Sequence, residues 1–185
     1  MSLLRFCEWL ATTRGSIALH ESLYVYLGIS TVHVVTLALF VGTAVMLDLR
    51  LLGVTLRRVP VSEVAARLAP WTATGVLLMA ASGALLFYAN PVPRYHNLFF
   101  RAKMFTLALA AVNAWVFHRT VYRRVTDWDL DPIPPRRARV AGGLAIVFWA
   151  VAILSGRMIA YDWFDCAHQQ PAIVHLLAGC VAAAR

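Results

Sequence analysis

Four apolar stretches, each about as long as a membrane is thick, limit how this chain can fold. They lie at residues 23–47, 70–89, 98–119 and 140–161. A helix of roughly 20 residues crosses a hydrocarbon core of about 30 Å, and lipid admits only helices and closed barrels as spanning structures. Because the connections between the stretches are short, the pattern predicts an all-α polytopic membrane protein, an up-and-down bundle of four transmembrane helices.

Composition agrees with a membrane protein and disagrees with a soluble domain of this length. Of the 185 residues, 61% are hydrophobic and 14% are charged, and the mean hydropathy is +0.68. The net charge of +8 does not indicate nucleic acid, because the arginines flank the apolar stretches and do not line one face with interleaved aromatics. We expect the lipid bilayer as the partner, together with other membrane subunits or a second copy, and no nucleic acid.

Arginines are concentrated in the connections between the first and second spans and between the third and fourth. Ten of the 17 basic residues lie there: Arg50, Arg57, Arg58, Arg67, Arg119, Arg123, Arg124, Arg136, Arg137 and Arg139. The positive-inside bias predicts that this side is cytoplasmic. Both termini are then periplasmic, and the expected location is the bacterial inner (cytoplasmic) membrane.

The spans divide the chain into three parts. Residues 1–22 place apolar side chains near one helical face, which predicts an amphipathic segment in the headgroup layer, with a loosely ordered tail as the alternative. Residues 23–162 form the transmembrane domain. Residues 163–185 are apolar but too short for a further span, and we expect an interfacial tail.

A single histidine, His33, lies inside the first span, roughly 15 Å from the periplasmic surface at the helical rise per residue. An ionisable residue at this depth marks a functional site by default, although a neutral histidine bonded between helices is the alternative. Lys103 and Arg157 lie roughly 7 and 8 Å from the same surface. Since no acidic residue in the spans matches their depth, these cations either extend to the surface or bind an anion.

Haem b is an anionic ligand that also takes an imidazole. We expect its iron to take His33 as an axial ligand and its propionates to take Lys103 and Arg157. Met79, at roughly the depth of His33, is a candidate second ligand, since His/Met ligation is known for haem iron. The alternatives are that Met79 fills a gap in the core and that His96 is the second ligand.

At the other end of the third span, His118 lies on the order of 15 Å from the depth of the first-span histidine. It belongs either to a second, cytoplasmic-side site with Asn113, or to a helix cap among Arg119, Asp48 and Arg50. The capping interpretation is the simpler one.

The cysteines give a weaker signal. Cys7, Cys166 and Cys180 all fall on the predicted periplasmic side, where a disulfide is permitted but its pairing stays open. A metal site at Cys166, His168 and His175 is disfavoured because the spacing is irregular. The motif for covalent haem attachment, Cys-x-x-Cys-His, does not occur.

Three segments carry a family resemblance: HVVTLALFVGTAVMLDLRLLG, FFRAKMFTLALAAVNAWVFHRTVYR and WAVAILSGRMIAYDWF. They resemble an uncharacterised family of small four-helix bacterial inner-membrane proteins. More distantly, they are similar to the membrane domain of copper-resistance D proteins and to cytochrome b561-type bundles. The last likeness implies intramembrane histidines as haem ligands, here His33 and His118. The chain departs from that pattern by lacking two histidine pairs on facing helices.

Together these features predict an integral membrane b-type haem protein that transfers electrons, with quinone or as a subunit of a larger redox complex. One alternative is an accessory or assembly subunit without haem. Another is a copper or anion transport protein, in which His33, His118 and Met79 bind metal. An electron-transfer or accessory subunit fits the sequence better than a stand-alone enzyme.

Overall fold

A computed structural model describes residues 3–161, Cys166 and residues 171–180, apart from the side chain of His175. This part of the chain is helical and contains no strand. Its α-helices are α1 (Leu3–Ala11), α2 (Arg14–Glu21), α3 (Leu23–Leu51), α4 (Val61–Ala89), α5 (Pro91–His96), α6 (Leu98–Thr120), α7 (Arg136–Met158) and α8 (Ala172–Ala178). Helices α3, α4, α6 and α7 are long and apolar enough to cross a membrane, which confirms the all-α, four-span fold class.

The spans pack as two hairpins joined along one seam. Helix α3 packs along α4, α6 packs along α7, and α3 also contacts α7, whereas α6 makes few contacts with α3 or α4. The connections at residues 52–60 and 121–135 share one end of the bundle, which we call the arginine-rich end. Helices α1, α2, α5 and α8 lie at the other end, which we call the terminal end.

Helix α4 begins at Val61, nine residues before the predicted start of the span, and Pro70 lies inside it. A proline interrupts the backbone ladder of a helix, which is why the sequence pattern favours a start at that position. The first turn is held from outside the helix. The backbone N–H of Val61 donates to the carbonyl of Asp129 at 3.2 Å, and the N–H of Ser62 donates to Asp129 Oδ1 at 2.8 Å.

A small apolar core closes the arginine-rich end. Its buried members are Leu51, Val61, Val121, Trp128 and Ala138. They come from both hairpins and from the connection between α6 and α7, so this end is where the two hairpins share a hydrophobic core.

Arg50 is completely buried beside this core. Its Nε donates to the carbonyl of Val59 at 2.9 Å, and its Nη2 donates to the carbonyls of Asp131 at 3.2 Å and Asp129 at 3.4 Å. One guanidinium therefore ties the connection after α3 to the connection after α6. The sequence places Arg50 among the cytoplasmic surface charges, whereas the fold uses it as an internal hydrogen-bond donor.

The N-terminal helices dock on the terminal end of α4. The hydroxyls of Thr13 and Tyr88 lie 2.7 Å apart, and Ser16 Oγ donates to the carbonyl of Tyr88 at 2.7 Å. Cys7 of α1 is buried, and burial, followed by the charge of Glu8, raises the pKa of its thiol. Residues 3–21 are thus two helices with specific polar contacts to the bundle.

Helix α8 is fastened to the start of α6. Arg101 donates to the carbonyls of Leu177 at 2.6 Å and Ala178 at 2.9 Å. A disulfide joins Cys166 to Cys180, which resolves the pairing that the sequence leaves open, and Cys7 is a free thiol.

Candidate functional site

The imidazole of His33 is held against α4 by a serine. His33 Nδ1 lies 2.9 Å from Ser82 Oγ, and Ser82 Oγ donates to the carbonyl of Leu78 at 2.7 Å. A hydroxyl has a single hydrogen. Because that hydrogen goes to Leu78, the oxygen accepts from a protonated Nδ1. In a neutral imidazole this network leaves the lone pair on Nε2.

A glycine of α4 allows the ring to take this position. Gly83 leaves room for the ring, since a Cβ at that position would lie 3.2 Å from His33 Cε1. The imidazole therefore lies close to the backbone of α4, oriented through Nδ1.

Ser82 was not among the residues predicted for the site. It is the sole polar residue of α4 between Thr74 and Tyr88. At 1.5 Å per residue it lies about 10 Å from the terminal end of its helix, within one helical turn of the depth of His33. The isolated hydroxyl and this matched depth are the signal that could have identified it.

Lys103 approaches the same half of the bundle from α6. Its stem crosses Gly156 of α7, where a Cβ would lie 3.6 Å from Lys103 Nζ and 3.7 Å from Cδ. The lysine is half-buried, and its charge acts on His33, while the charge of Arg94 acts on Lys103. Lys103 thus lies in the half of the bundle that holds His33, as the sequence predicts from depth along the helices.

Helix α6 makes few contacts with α3 and α4, so His33 and Lys103 come from helices that are not packed tightly together. Within the described residues, no carboxylate forms an ion pair with Lys103. This half of the bundle therefore combines an imidazole held by Ser82 with a positive charge that no described carboxylate compensates. Such a combination can hold an anionic ligand that also takes a nitrogen donor.

The other candidates near the terminal end have separate positions. Arg157 is exposed, and its guanidinium lies 5.4 Å from the centre of the Tyr161 ring. Met79 is half-buried, and its backbone carbonyl accepts from Ser82 Oγ at 3.3 Å. His96 donates from Nδ1 to the carbonyl of Ala178 at 3.0 Å, which fastens α8.

Asn113 and His118 lie toward the arginine-rich end and do not join His33. Asn113 Nδ2 donates to the carbonyl of Ala141 at 2.9 Å, which links α6 to α7. His118 is exposed and stacks on Tyr122, with ring centres 5.4 Å apart. Asn113 is thus occupied in helix packing, and a second ligand site at His118 remains a prediction.

No group of three or more histidine, cysteine or acidic residues that could hold a metal ion occurs in the described part of the chain. The disulfide occupies Cys166, which removes that thiol from the disfavoured metal site. His168 lies outside the described residues, as does the side chain of His175.

Comparison with known proteins gives one family. A family of unknown function, DUF6644, matches residues 6–162, which is most of the chain and includes all four spans. No curated protein and no solved structure matches this chain.

Proposed function

We propose that this chain, which belongs to the DUF6644 family of unknown function, binds b-type haem through His33 and transfers electrons in the membrane. One observation carries the proposal. His33 Nδ1 lies 2.9 Å from Ser82 Oγ, which donates to the carbonyl of Leu78, so a neutral imidazole in this network keeps its lone pair on Nε2. Metal-ligating histidines have this arrangement, because a hydrogen bond at one ring nitrogen fixes the tautomer and orientation that the other needs for ligation.

The charge around His33 supports the same ligand. Haem carries two propionates, and a half-buried Lys103 that acts electrostatically on His33 supplies a cation for one of them. Arg157, farther out on α7, is the candidate for the other. Met79 is proposed as the second axial ligand. When bound, haem supplies one-electron oxidation and reduction at its iron.

The expected topology fits an electron carrier of the bacterial inner membrane. The arginine-rich end is proposed to face the cytoplasm by the positive-inside bias. The Cys166–Cys180 disulfide then lies in the periplasm, where disulfides persist. The electron partner is proposed to be quinone or a larger redox complex, consistent with the distant sequence likeness to cytochrome b561-type bundles.

The test is an absorption spectrum of the protein purified in mild detergent, first oxidised and then reduced with dithionite, with the haem counted as its pyridine haemochrome. We expect a Soret band and sharp reduced α and β bands. His33→Ala should lose the haem, whereas Lys103→Ala should weaken its binding. His118→Ala removes the exposed histidine at the far end that is the alternative ligand, and it should keep the spectrum if haem binds at His33.

The outcomes separate the competing functions. A normal haem spectrum in His33→Ala overturns the ligand assignment. Loss of haem in His118→Ala but not in His33→Ala moves the site to the arginine-rich end. A colourless wild-type protein from cells supplied with haem overturns the cofactor and favours an accessory or transport role.

A further inference from the structure

At the arginine-rich end, a partly open cavity of about 500 Å³ is lined by four arginines and one threonine. The lining residues are Arg119 and Thr120 at the end of α6, Arg123 and Arg124 in the 3₁₀ turn that follows, and Arg137 in the first turn of α7. We propose that this cavity binds the phosphate-bearing headgroup of an anionic membrane lipid.

The charges in the cavity lack acidic partners. Among the residues that the structure describes, none of the four arginines pairs with a carboxylate, and the ion pair that is present, Glu63–Arg67, lies on α4. Like charges gathered around one cavity repel each other. A phosphate removes that repulsion, and the planar fork of arginine matches phosphate oxygens in a bidentate manner.

Among the lining residues, Arg137 supports an anion site most directly. It lies in the first turn of α7, where the helix dipole gives the backbone a partial positive charge and disfavours a cation. The N-cap residue, Pro135, provides no side-chain cap for the free amides of this turn. An anion between Arg137 and the end of α6 compensates both charges. Arg119, at the C-terminal end of α6, is by contrast already favoured by the dipole.

The position of the cavity points to a lipid as the source of the phosphate. Trp115, one turn before Arg119, is 60% exposed, and the Arg119 guanidinium lies 5.6 Å from the centre of its ring. Exposed tryptophans near the ends of spanning helices lie at the headgroup level. Basic pockets between transmembrane helices at this level bind anionic headgroups.

Retention of positive charge on one side of the membrane does not by itself account for the cavity. The positive-inside bias depends on the number of arginines near the membrane and does not require their side chains to line a common cavity. Arg58 and Arg136 lie at the same end, are exposed and do not line the cavity. They supply a control with the same loss of charge.

The experiment titrates the full-length protein in mild detergent with phosphatidylglycerol, with phosphatidylcholine and with inorganic phosphate, and counts bound lipid by native mass spectrometry. The wild-type protein should bind phosphatidylglycerol saturably and at least tenfold more tightly than phosphatidylcholine. The double variant Arg123→Gln/Arg137→Gln should lose at least tenfold in affinity for phosphatidylglycerol. The control double variant Arg58→Gln/Arg136→Gln should stay within twofold of the wild type.

Three results overturn the proposal. Equal losses in the two double variants show attraction to general surface charge and no site. Saturable binding of inorganic phosphate with the same dependence on Arg123 and Arg137, without a preference for phosphatidylglycerol, assigns the cavity to free phosphate. Equal affinity of the wild-type protein for phosphatidylglycerol and phosphatidylcholine overturns the proposal. This comparison does not depend on whether the cavity variant folds.

Discussion

Arg50 Nη2 donates to the backbone carbonyl of Asp131 at 3.2 Å across 81 residues of sequence. The same guanidinium also donates to the carbonyls of Val59 and Asp129, so no exposed part of Arg50 remains to interact with water or lipid headgroups. A buried cation of this kind stabilises the fold through the carbonyls that it satisfies.

Arg50→Met should lower the stability of the bundle by about 3 kcal/mol, because it leaves buried carbonyls without donors. For a chain of this length that loss corresponds to roughly 6–12 °C in Tm. Arg50→Lys should recover only part of it, since an ammonium lacks the fork that reaches two connections. Thermal melting in mild detergent checks both variants. Arg58→Met, at an exposed arginine, is the control, and equal Tm values for the two methionine variants would contradict the prediction.

Asp129 should make the bundle sensitive to acid. Burial raises the pKa of its carboxyl, but the hydrogen bonds from the Ser62 hydroxyl at 2.5 Å and the Ser62 amide at 2.8 Å, with the charge of Arg50, outweigh burial and hold the pKa below its ordinary value. The lower folded-state pKa means that the stabilisation is fully present above the unfolded value of about 4. It is lost as the pH falls through the folded value.

Asp129→Asn should therefore cost about 1 kcal/mol near neutral pH, because the amide keeps only one of the two acceptor oxygens and loses the charge, and it should flatten the acid limb of a plot of Tm against pH. Asp127→Asn, an exposed carboxylate in the same connection, should leave that limb unchanged. An unaltered acid limb in Asp129→Asn would refute this role.

Gly75 sets the distance between α3 and α4. A Cβ at this position would lie 2.9 Å from Phe40 Cβ, 3.0 Å from its Cα and 3.1 Å from its N, and the backbone of α3 cannot move aside without shifting the helix. Gly75→Ala should cost about 1–3 kcal/mol, the range for overpacking. Gly42→Ala, where a Cβ meets nothing within 4 Å, should cost nothing, and denaturation of both variants in detergent compares them directly.

Ser82→Ala should loosen the proposed cofactor without removing its ligand. Loss of the hydroxyl releases His33 Nδ1, and removal of such an outer-shell partner typically costs 10–100-fold in metal affinity. The rate at which haem transfers from each variant to added apomyoglobin measures this change in affinity. Thr31→Ala is the matched control, because the Thr31 hydroxyl bonds only to the carbonyl of Leu27 in its own helix. Equal rates of haem loss in the two variants would argue against orientation of His33 by Ser82.

Cys7 should resist alkylation in the folded protein. Burial and the neighbouring charge of Glu8 raise the pKa of its thiol, and the thiolate is the reactive form. Labelling with a maleimide should be at least tenfold slower than in Leu3→Cys, which places a thiol at an exposed position of the same helix. Reduction and denaturation should then expose all three cysteines. Rapid labelling of native Cys7 would contradict its position against the bundle.

The four spans could be read from the sequence because hydrophobic length alone decides membrane crossing. The extension of α4 to Val61 could not, because Pro70 looks like a helix start and the cap comes from Asp129, 67 residues from Ser62. Contacts between segments that are distant in sequence do not show in the local hydrophobic pattern. The burial of Arg50 was hidden for the same reason.

The candidate site was predictable in part. Depth along the helix predicts that His33 and Lys103 lie in one half of the bundle. Depth does not give the direction in which a side chain points, so the partner Ser82 and the outward position of Arg157 required the structure. The sequence also gave no way to distinguish a packing role for Asn113 from a ligand role.

The acceptors of Arg50 have a consequence for the order of membrane insertion. During synthesis, the hairpin of α3 and α4 emerges while the carbonyl of Val59 is the sole partner available to this guanidinium. The carbonyls of Asp129 and Asp131 arrive only with the second hairpin. Before the second hairpin arrives, this guanidinium therefore has one of its three carbonyl acceptors, and packing of the two hairpins at the arginine-rich end supplies the other two.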